Sequence, residues 1–290
     1  MVENANLLVV GLARDISHDL SREIARIEKQ AKAIFDTVQF FIVESDSKND
    51  TVDLLQKIKK ERSNFDFISL ASVQHRYPER FSRLRHCRNQ YIKEIRTRTE
   101  YKTYSFVLVV DFDLKNNRLN LEPIKDMIPI DAWEGLFANQ TGPYYDILAL
   151  RKEGWVAEDC FINYSKLATS LGREKAKHEA IWSKMKRIPL SSPVISVDSA
   201  FGGMGLYRRR VFERFDYCPT TLEQSLESEH VALNNKITLS GGKLFILPRM
   251  TNFSYSTHNL LSYKFFRMID RSLASPKYRA IRRIARRLLA

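Results

Sequence analysis

The first half of the chain alternates short apolar runs with stretches of helical spacing. Leu7 to Leu12 reads as a buried strand. Over residues 17–35, Leu20, Ile24, Ile27, Ala31 and Ile34 fall on one helical face, with Ser17 as the N-cap. Val38 to Val43 predicts a second strand, and 51–60 a helix carrying Val52, Leu55 and Ile58. Phe65 to Leu70 and Ser105 to Val110 predict two further strands, separated by a basic helix over 80–97. Strand–helix alternation with short apolar strands implies an α/β fold, a mainly parallel sheet covered by helices on both faces. Ligands of such sheets bind beyond the carboxyl ends of the strands. Chemistry is therefore expected just after Val10, Val43, Leu70 and Val110. The second half is less regular. Ile147–Leu150 and Leu244–Leu247 read as strands, and about 163–187 as one long basic helix. There is no internal repeat and no linker-like run. One domain is expected over 1–262, with a helical tail over 263–290.

Composition narrows the class. The 290 residues are 44% apolar and 11% aromatic, enough for a substantial core and too rich for disorder. No run approaches the ~18 apolar residues of a membrane span. The start of the chain has an acid and no basic region, so no signal peptide is expected. Cys87, Cys160 and Cys218 are far apart and suit a reducing, cytoplasmic setting rather than a zinc site. The net charge is +13, and residues 261–290 hold nine basic residues and one acid, a net +8. Excess charge gathered at one end argues against a nucleic-acid groove, where basic residues interleave with aromatics. Within 276–290, Tyr278, Ile281, Ile284 or Ala285, and Leu288 share a helical face, with Arg282, Arg283, Arg286 and Arg287 towards the other. That pattern predicts an interfacial helix on an anionic membrane, placing the protein peripherally on the inner face of the cytoplasmic membrane.

Two segments carry candidate chemistry after predicted strands. Asp111 and Asp113 flank Phe112 at the end of Phe106–Val110 and project to the same side. Two close carboxylates repel unless a cation lies between them. Mg2+ or Mn2+ fits, taking one or two carboxylates and completing its shell from phosphates and water. Taken alone, the pair also fits a solvated acidic turn. The loop Glu44-Ser45-Asp46-Ser47-Lys48-Asn49-Asp50-Thr51 can accept hydrogen bonds from a nucleobase or ribose, and Asn49 or Asp50 can cap the helix that follows.

In order, Gly11-Leu12-Ala13-Arg14, the Glu44–Thr51 loop and Asp111-Phe112-Asp113 resemble GT-A-fold glycosyltransferases, of the kind that build bacterial surface polysaccharides such as capsule or lipopolysaccharide. The family loop often reads Glu-Asn-Asp-Ser-x-Asp-x-Thr; Ser45 and Asn49 are departures. Arg85-His86-Cys87-Arg88-Asn89 looks like the family's Ala-Arg-Asn helix, with Cys87 in place of Ala. Phe201-Gly202-Gly203-Met204-Gly205 with the basic run Arg208–Arg210, followed by Glu229-His230, matches the glycine-bearing strand and the Glu-Asp helix start. His258 fits the late metal or diphosphate ligand by order. The resemblance spans about 6–260. It implies a Rossmann-like GT-A domain that moves a sugar from a nucleotide-sugar, UDP-sugar foremost, to a glycan or lipid-linked glycan, as a hexosyltransferase would. It implies a divalent cation on Asp111, Asp113 and His258. Ala13, Arg14, Glu44, Asp46, Arg85, Arg88, Asn89 and Asp111 would meet the nucleotide, and Gly202, Gly203 and Glu229 the sugar or acceptor. The base in an inverting member would be Glu229 or His230, with Glu227 a third candidate. A catalytically silent binding module and a sugar-nucleotide pyrophosphorylase are alternatives. Against the latter, Gly11 is the sole glycine in the first 130 residues, so a glycine-rich phosphate loop is lacking.

Overall fold

Period-2 alternation places the first strand in the middle of the molecule. β1 (Asn6–Ala13) sends Leu7 and Val9 into one apolar cluster and Leu8 and Val10 into another, and all four are fully buried. A strand buried on both faces must have helices on both sides. A computed structural model of the chain describes residues 5–16, 20–112, 116, 118–221 and 227–252. The predicted cap Ser17 and the tail over 263–290 lie outside the described residues.

The elements follow in order: α1 (Leu20–Ala31), β2 (Thr37–Glu44), α2 (Thr51–Glu61), β3 (Phe65–Ser69), α3 (Arg80–Thr97), β4 (Phe106–Asp111), α4 (Ile124–Met127), β5 (Gly135–Asn139), α5 (Cys160–Leu171), α6 (Arg173–Ala180), β6 (Ile195–Val197), β7 (Met204–Arg208), α7 (Arg209–Arg214), α8 (Glu229–Leu239) and β8 (Leu244–Thr251). The eight strands form one sheet in the order β3-β2-β1-β4-β7-β5-β8-β6. The α/β expectation holds. β3, β2, β1 and β4 run parallel, as do β5 and β8, while β7 opposes both its neighbours and β6 opposes β8. One core cluster takes Ile24 and Ile27 of α1 and Leu55 and Ile58 of α2. The other takes Tyr91, Ile92 and Ile95 of α3, Phe212 of α7 and Leu233 of α8.

Two predicted elements are corrected. Ile147–Leu150 is a turn, not a strand. Ile147, Ala149 and Leu150 are buried by packing, and Asp146 Oδ1 accepts the Ala149 N–H at 3.4 Å, fixing the turn. The single helix over 163–187 is two. Gly172, at φ 73°, ends α5 and begins α6, a left-handed backbone that breaks the helix and leaves the two packed on each other.

The topology places the site. β2 and β3 step outward on one side of β1, and β4 then returns to the other side. The carboxyl ends of β1 and β4 therefore diverge at a switch point, where α/β sheets bind ligands. Gly11 lets the two strands lie close, since a Cβ there would stand 2.3 Å from the Val110 carbonyl and 2.6 Å from the Phe112 ring.

Candidate active site

At the switch point the sheet ends in Asp111, whose side chain is 29% exposed. Its backbone N–H donates to the Gly203 carbonyl at 2.9 Å, which carries the β4–β7 pairing one step further. The glycine turn is thereby fixed beside the carboxylate. Gly202 and Gly203 have φ of 67° and 81°. A Cβ on Gly202 would lie 2.5 Å from the Ala138 carbonyl. Both glycines thus meet the needs of a tight turn, and Gly202 also those of close backbone packing.

Arg88 reaches the same point from α3. Its Nη2 donates to Asp111 Oδ1 at 3.1 Å and its Nε to Glu229 Oε1 at 2.9 Å. Its guanidinium also lies over the rings of Phe201 and Tyr217, at 5.4 and 5.7 Å. Burial works against the Arg88 charge, but Tyr91, Glu229 and Asp111 outweigh it and hold the group well above the usual arginine value. One buried cation thus joins the sheet end to the start of α8.

His230 adjoins this chain of charges but is sealed. Its ring stacks on Phe201 at 3.6 Å, meets Tyr217 edge-on at 5.6 Å, and is only 3% exposed. Burial, with the Arg88 charge second, holds it well below the usual imidazole value, so it is neutral. Neither ring nitrogen has a hydrogen-bond partner among the described residues.

The other sequence candidates divide by what they touch. Ala13 is buried, and its carbonyl accepts the Ser45 N–H at 3.2 Å. Arg14 is exposed and makes a loose 3.6 Å ion pair with Asp15. Glu44 shapes its own loop: Oε1 accepts the Ser47 N–H at 3.1 Å and Oε2 accepts the Ser69 hydroxyl. Asp46 adopts φ 58°, and its Oδ1 accepts the N–H groups of Val73 and Gln74, both at 2.9 Å. Its Oδ2 is buried without a partner among the described residues, an acceptor held ready at the end of β2. Asn49, not Asp50, supplies the side-chain contact at the start of α2, accepting the Thr51 N–H at 3.1 Å. Arg85 donates to the Glu227 carbonyl at 2.7 Å. Asn89 binds the 217–218 segment, accepting the Tyr217 N–H at 3.0 Å and donating to Cys218 Sγ at 3.3 Å. Glu227 accepts Arg151 Nη2 at 3.2 Å. Asp113 and His258 lie outside the described residues. Among the described residues no three His, Cys, Asp or Glu side chains gather as a metal cluster. The oxygen of Asp111 is nonetheless the donor type that Mg2+ and Mn2+ prefer, the rest of the shell coming from phosphates and water.

One site residue escaped the sequence reading. Asp146 is half-buried, and its Oδ2 accepts the Gly202 N–H at 2.9 Å. Desolvation pushes its carboxyl above the usual range, against the Gly202 and Ala149 N–H groups; the Glu229 charge adds to the rise and Arg80 opposes it. The available signal was an acid flanking a short apolar run, the same signal that marked Asp111. Volume is a poor guide here: a cavity of about 730 Å³ lined by Glu28, Thr37, Arg62 and Asn64 opens at the amino end of β2, the wrong edge of the sheet.

No protein-family profile matches the chain, and no curated protein matches it. Solved structures do. The mannosyltransferase PcManGT from Pyrobaculum calidifontis, solved in complex with GDP-Man and Mn2+, is 10% identical; the match covers 87% of this chain and 57% of that one, with a TM-score of 0.49. S. aureus TarS residues 1–349 is 14% identical, with coverage of 86% and 60% and a TM-score of 0.43. A mycobacterial protein is 13% identical, with coverage of 84% and 66% and a TM-score of 0.41. The chain spans less than two thirds of the length of each. Likeness at this level assigns no role to any residue here.

Proposed function

We propose that this chain is a GT-A-fold glycosyltransferase that moves a sugar from a nucleotide-diphosphate sugar, UDP-sugar foremost, to a glycan or lipid-linked glycan acceptor. The observation that carries the reading is the Asp111–Arg88–Glu229 chain beside a glycine turn at the switch point of the sheet. The ordered motifs from Gly11 to His230 support it. Asp46, whose Oδ2 has no partner among the described residues, and the Ala13–Arg14 end of β1 receive the nucleoside. Asp111 faces the diphosphate, in company with Asp113 and His258 of the sequence motif. A divalent cation there would offset the charge that builds on the departing diphosphate.

The acceptor hydroxyl oxygen attacks the anomeric carbon, the bond from that carbon to the diphosphate oxygen breaks, and the hydroxyl proton passes to a carboxylate. We assign that proton to Asp146 for an inverting reaction. Glu229 is committed to Arg88, and His230 is stacked and enclosed. Asp146 is the more open group, and desolvation raises its affinity for a proton, the direction a base requires. Glu229 is then a positioning residue that fixes Arg88. We assign the catalytic domain to residues 1–262, and to the basic stretch 263–290 the role of holding it on the inner face of an anionic membrane. The test is a screen of nucleotide-sugar hydrolysis with Mn2+ and with EDTA. Metal-dependent cleavage of one sugar nucleotide supports the reading. Binding without cleavage or transfer favours a silent module, and pyrophosphate-dependent release of a nucleoside triphosphate favours a pyrophosphorylase.

A further inference from the structure

α5 is an apolar helix with little to cover it. It reads Cys-Phe-Ile-Asn-Tyr-Ser-Lys-Leu-Ala-Thr-Ser-Leu, yet of its 12 residues only Cys160 is buried. Phe161, Tyr164, Ala168 and Leu171 recur at i, i+3, i+7 and i+10, a stripe along one side. Phe161 is 54% exposed and Leu171 41%. Ile162, Leu190 and Val194 are also exposed, so five of the seven exposed large apolar side chains among the described residues fall within 161–194. Scattered apolar residues need no explanation, but this concentration does.

The charge around the patch is one-sided. Residues 160–194 hold seven Lys and Arg and two acids, a net +5. Arg173, Lys175, Lys186 and Arg187 are exposed. A second copy of the chain is a poor occupant, because a two-fold contact would set this cationic patch against itself. Apolar side chains among cations are what an anionic lipid surface accepts: the aliphatic and aromatic groups enter the headgroup boundary and the cations meet the phosphates.

We propose that the α5–α6 hairpin, with the 190–194 loop, docks the protein on an anionic bilayer. This segment is separate in sequence from the basic stretch 263–290. It is also tied to the candidate site. Asp159 caps α5, accepting the N–H groups of Phe161 and Ile162 at 2.8 and 3.1 Å. Arg151 bridges Asp159 at 3.4 Å and Glu227 at 3.2 Å, and Glu227 stands two residues before Glu229. Docking through α5 therefore brings the bilayer to the side of the molecule that this bridge links to the start of α8. That orientation serves a lipid-linked acceptor, a consequence that rests on the proposed function; the docking itself does not.

The experiment uses the full chain, wild type and Phe161→Asp/Leu171→Asp, with vesicles of phosphatidylcholine alone or with ~30% phosphatidylglycerol. Both changed positions are exposed, so the fold survives, as a thermal melt checks. The expected result is binding to the anionic vesicles only, at least about tenfold weaker in the variant. Amide exchange over 160–171 should also slow when anionic vesicles are added to wild type. Variant binding within about twofold of wild type overturns the proposal, as does unchanged exchange at α5, which assigns docking to the tail alone. A variant that falls from dimer to monomer while keeping its vesicle binding assigns the patch to a second copy instead. Hydrolysis of soluble donor, measured on the same samples, is expected to be equal in both proteins. Its absence from both would refute the glycosyltransferase reading and leave the docking result standing.

Discussion

Arg88 carries more of the site than any other side chain. It is 3% exposed and serves two carboxylates. Arg88→Ala would take from the buried Glu229 the guanidinium that donates to it, and breaking a buried pair in this way costs about 3–5 kcal/mol. Chemical denaturation should show a loss of that size; a change below about 1 kcal/mol would mean that the pair is not formed. Asp111→Asn should behave differently. Its side chain is partly open to solvent, so the fold should hold while sugar transfer falls by at least about a hundredfold, read by donor turnover and a thermal melt together. Asp146→Asn should reduce transfer by about 10² to 10⁴ and leave donor binding intact, since a base acts on the acceptor proton. Equal kcat in variant and wild type would return the base role to Glu229.

His230 gives a pH prediction. Its proton affinity is lowered in the folded protein, while the unfolded chain has the ordinary value near ~6.5. As pH falls below that value, the unfolded chain takes up the proton first. Stability contributed by the neutral ring is thus full above about pH 6.5 and declines below it, by at most about 1.4 kcal/mol per pH unit. His230→Asn should flatten the pH dependence of unfolding between about pH 7 and 5. Identical slopes would show that the imidazole titrates normally in the folded state.

At the scale of elements, Gly202 is the sharpest test. An alanine there meets both a left-handed φ of 67° and the Ala138 carbonyl at 2.5 Å. Gly202→Ala should cost roughly 1–3 kcal/mol or more and weaken donor binding, because the turn positions Asp111. An unperturbed melt would mean that the turn relaxes. The same scale shows what was legible in the sequence. β1, β2, β3 and β4 are short apolar runs and α1 and α2 carry a helical period, and their bounds, like those of the basic helix α3, fall within a few residues of those predicted. The order of strands in the second half was not legible, because β5, β6 and β7 are three to five residues long and β6 and β7 pair antiparallel with strands distant in sequence. Ile147–Leu150 misled because an apolar run buried by packing looks like a strand until its hydrogen bonds are traced. Asp111, Arg88 and Glu229 were each singled out, but their joining is a tertiary fact spanning about 140 residues of chain. Asp146 was hidden because its partner is a backbone N–H 56 residues away.

For the whole molecule, two basic segments stand out: the 263–290 stretch in the sequence, and the α5–α6 hairpin in the fold. If both dock as proposed, their attraction to anionic surfaces should weaken with salt. The central claim is narrower: that the switch point binds a sugar nucleotide through Asp111 and a divalent cation. Calorimetric titration of wild type and Asp111→Asn with UDP-sugars and GDP-sugars, each with Mn2+ and with EDTA, tests it most directly. The expected result is binding of one such donor by wild type with Mn2+, weakened at least about tenfold both by EDTA and by the substitution. Binding that is equally tight in the variant and unaffected by EDTA would contradict it.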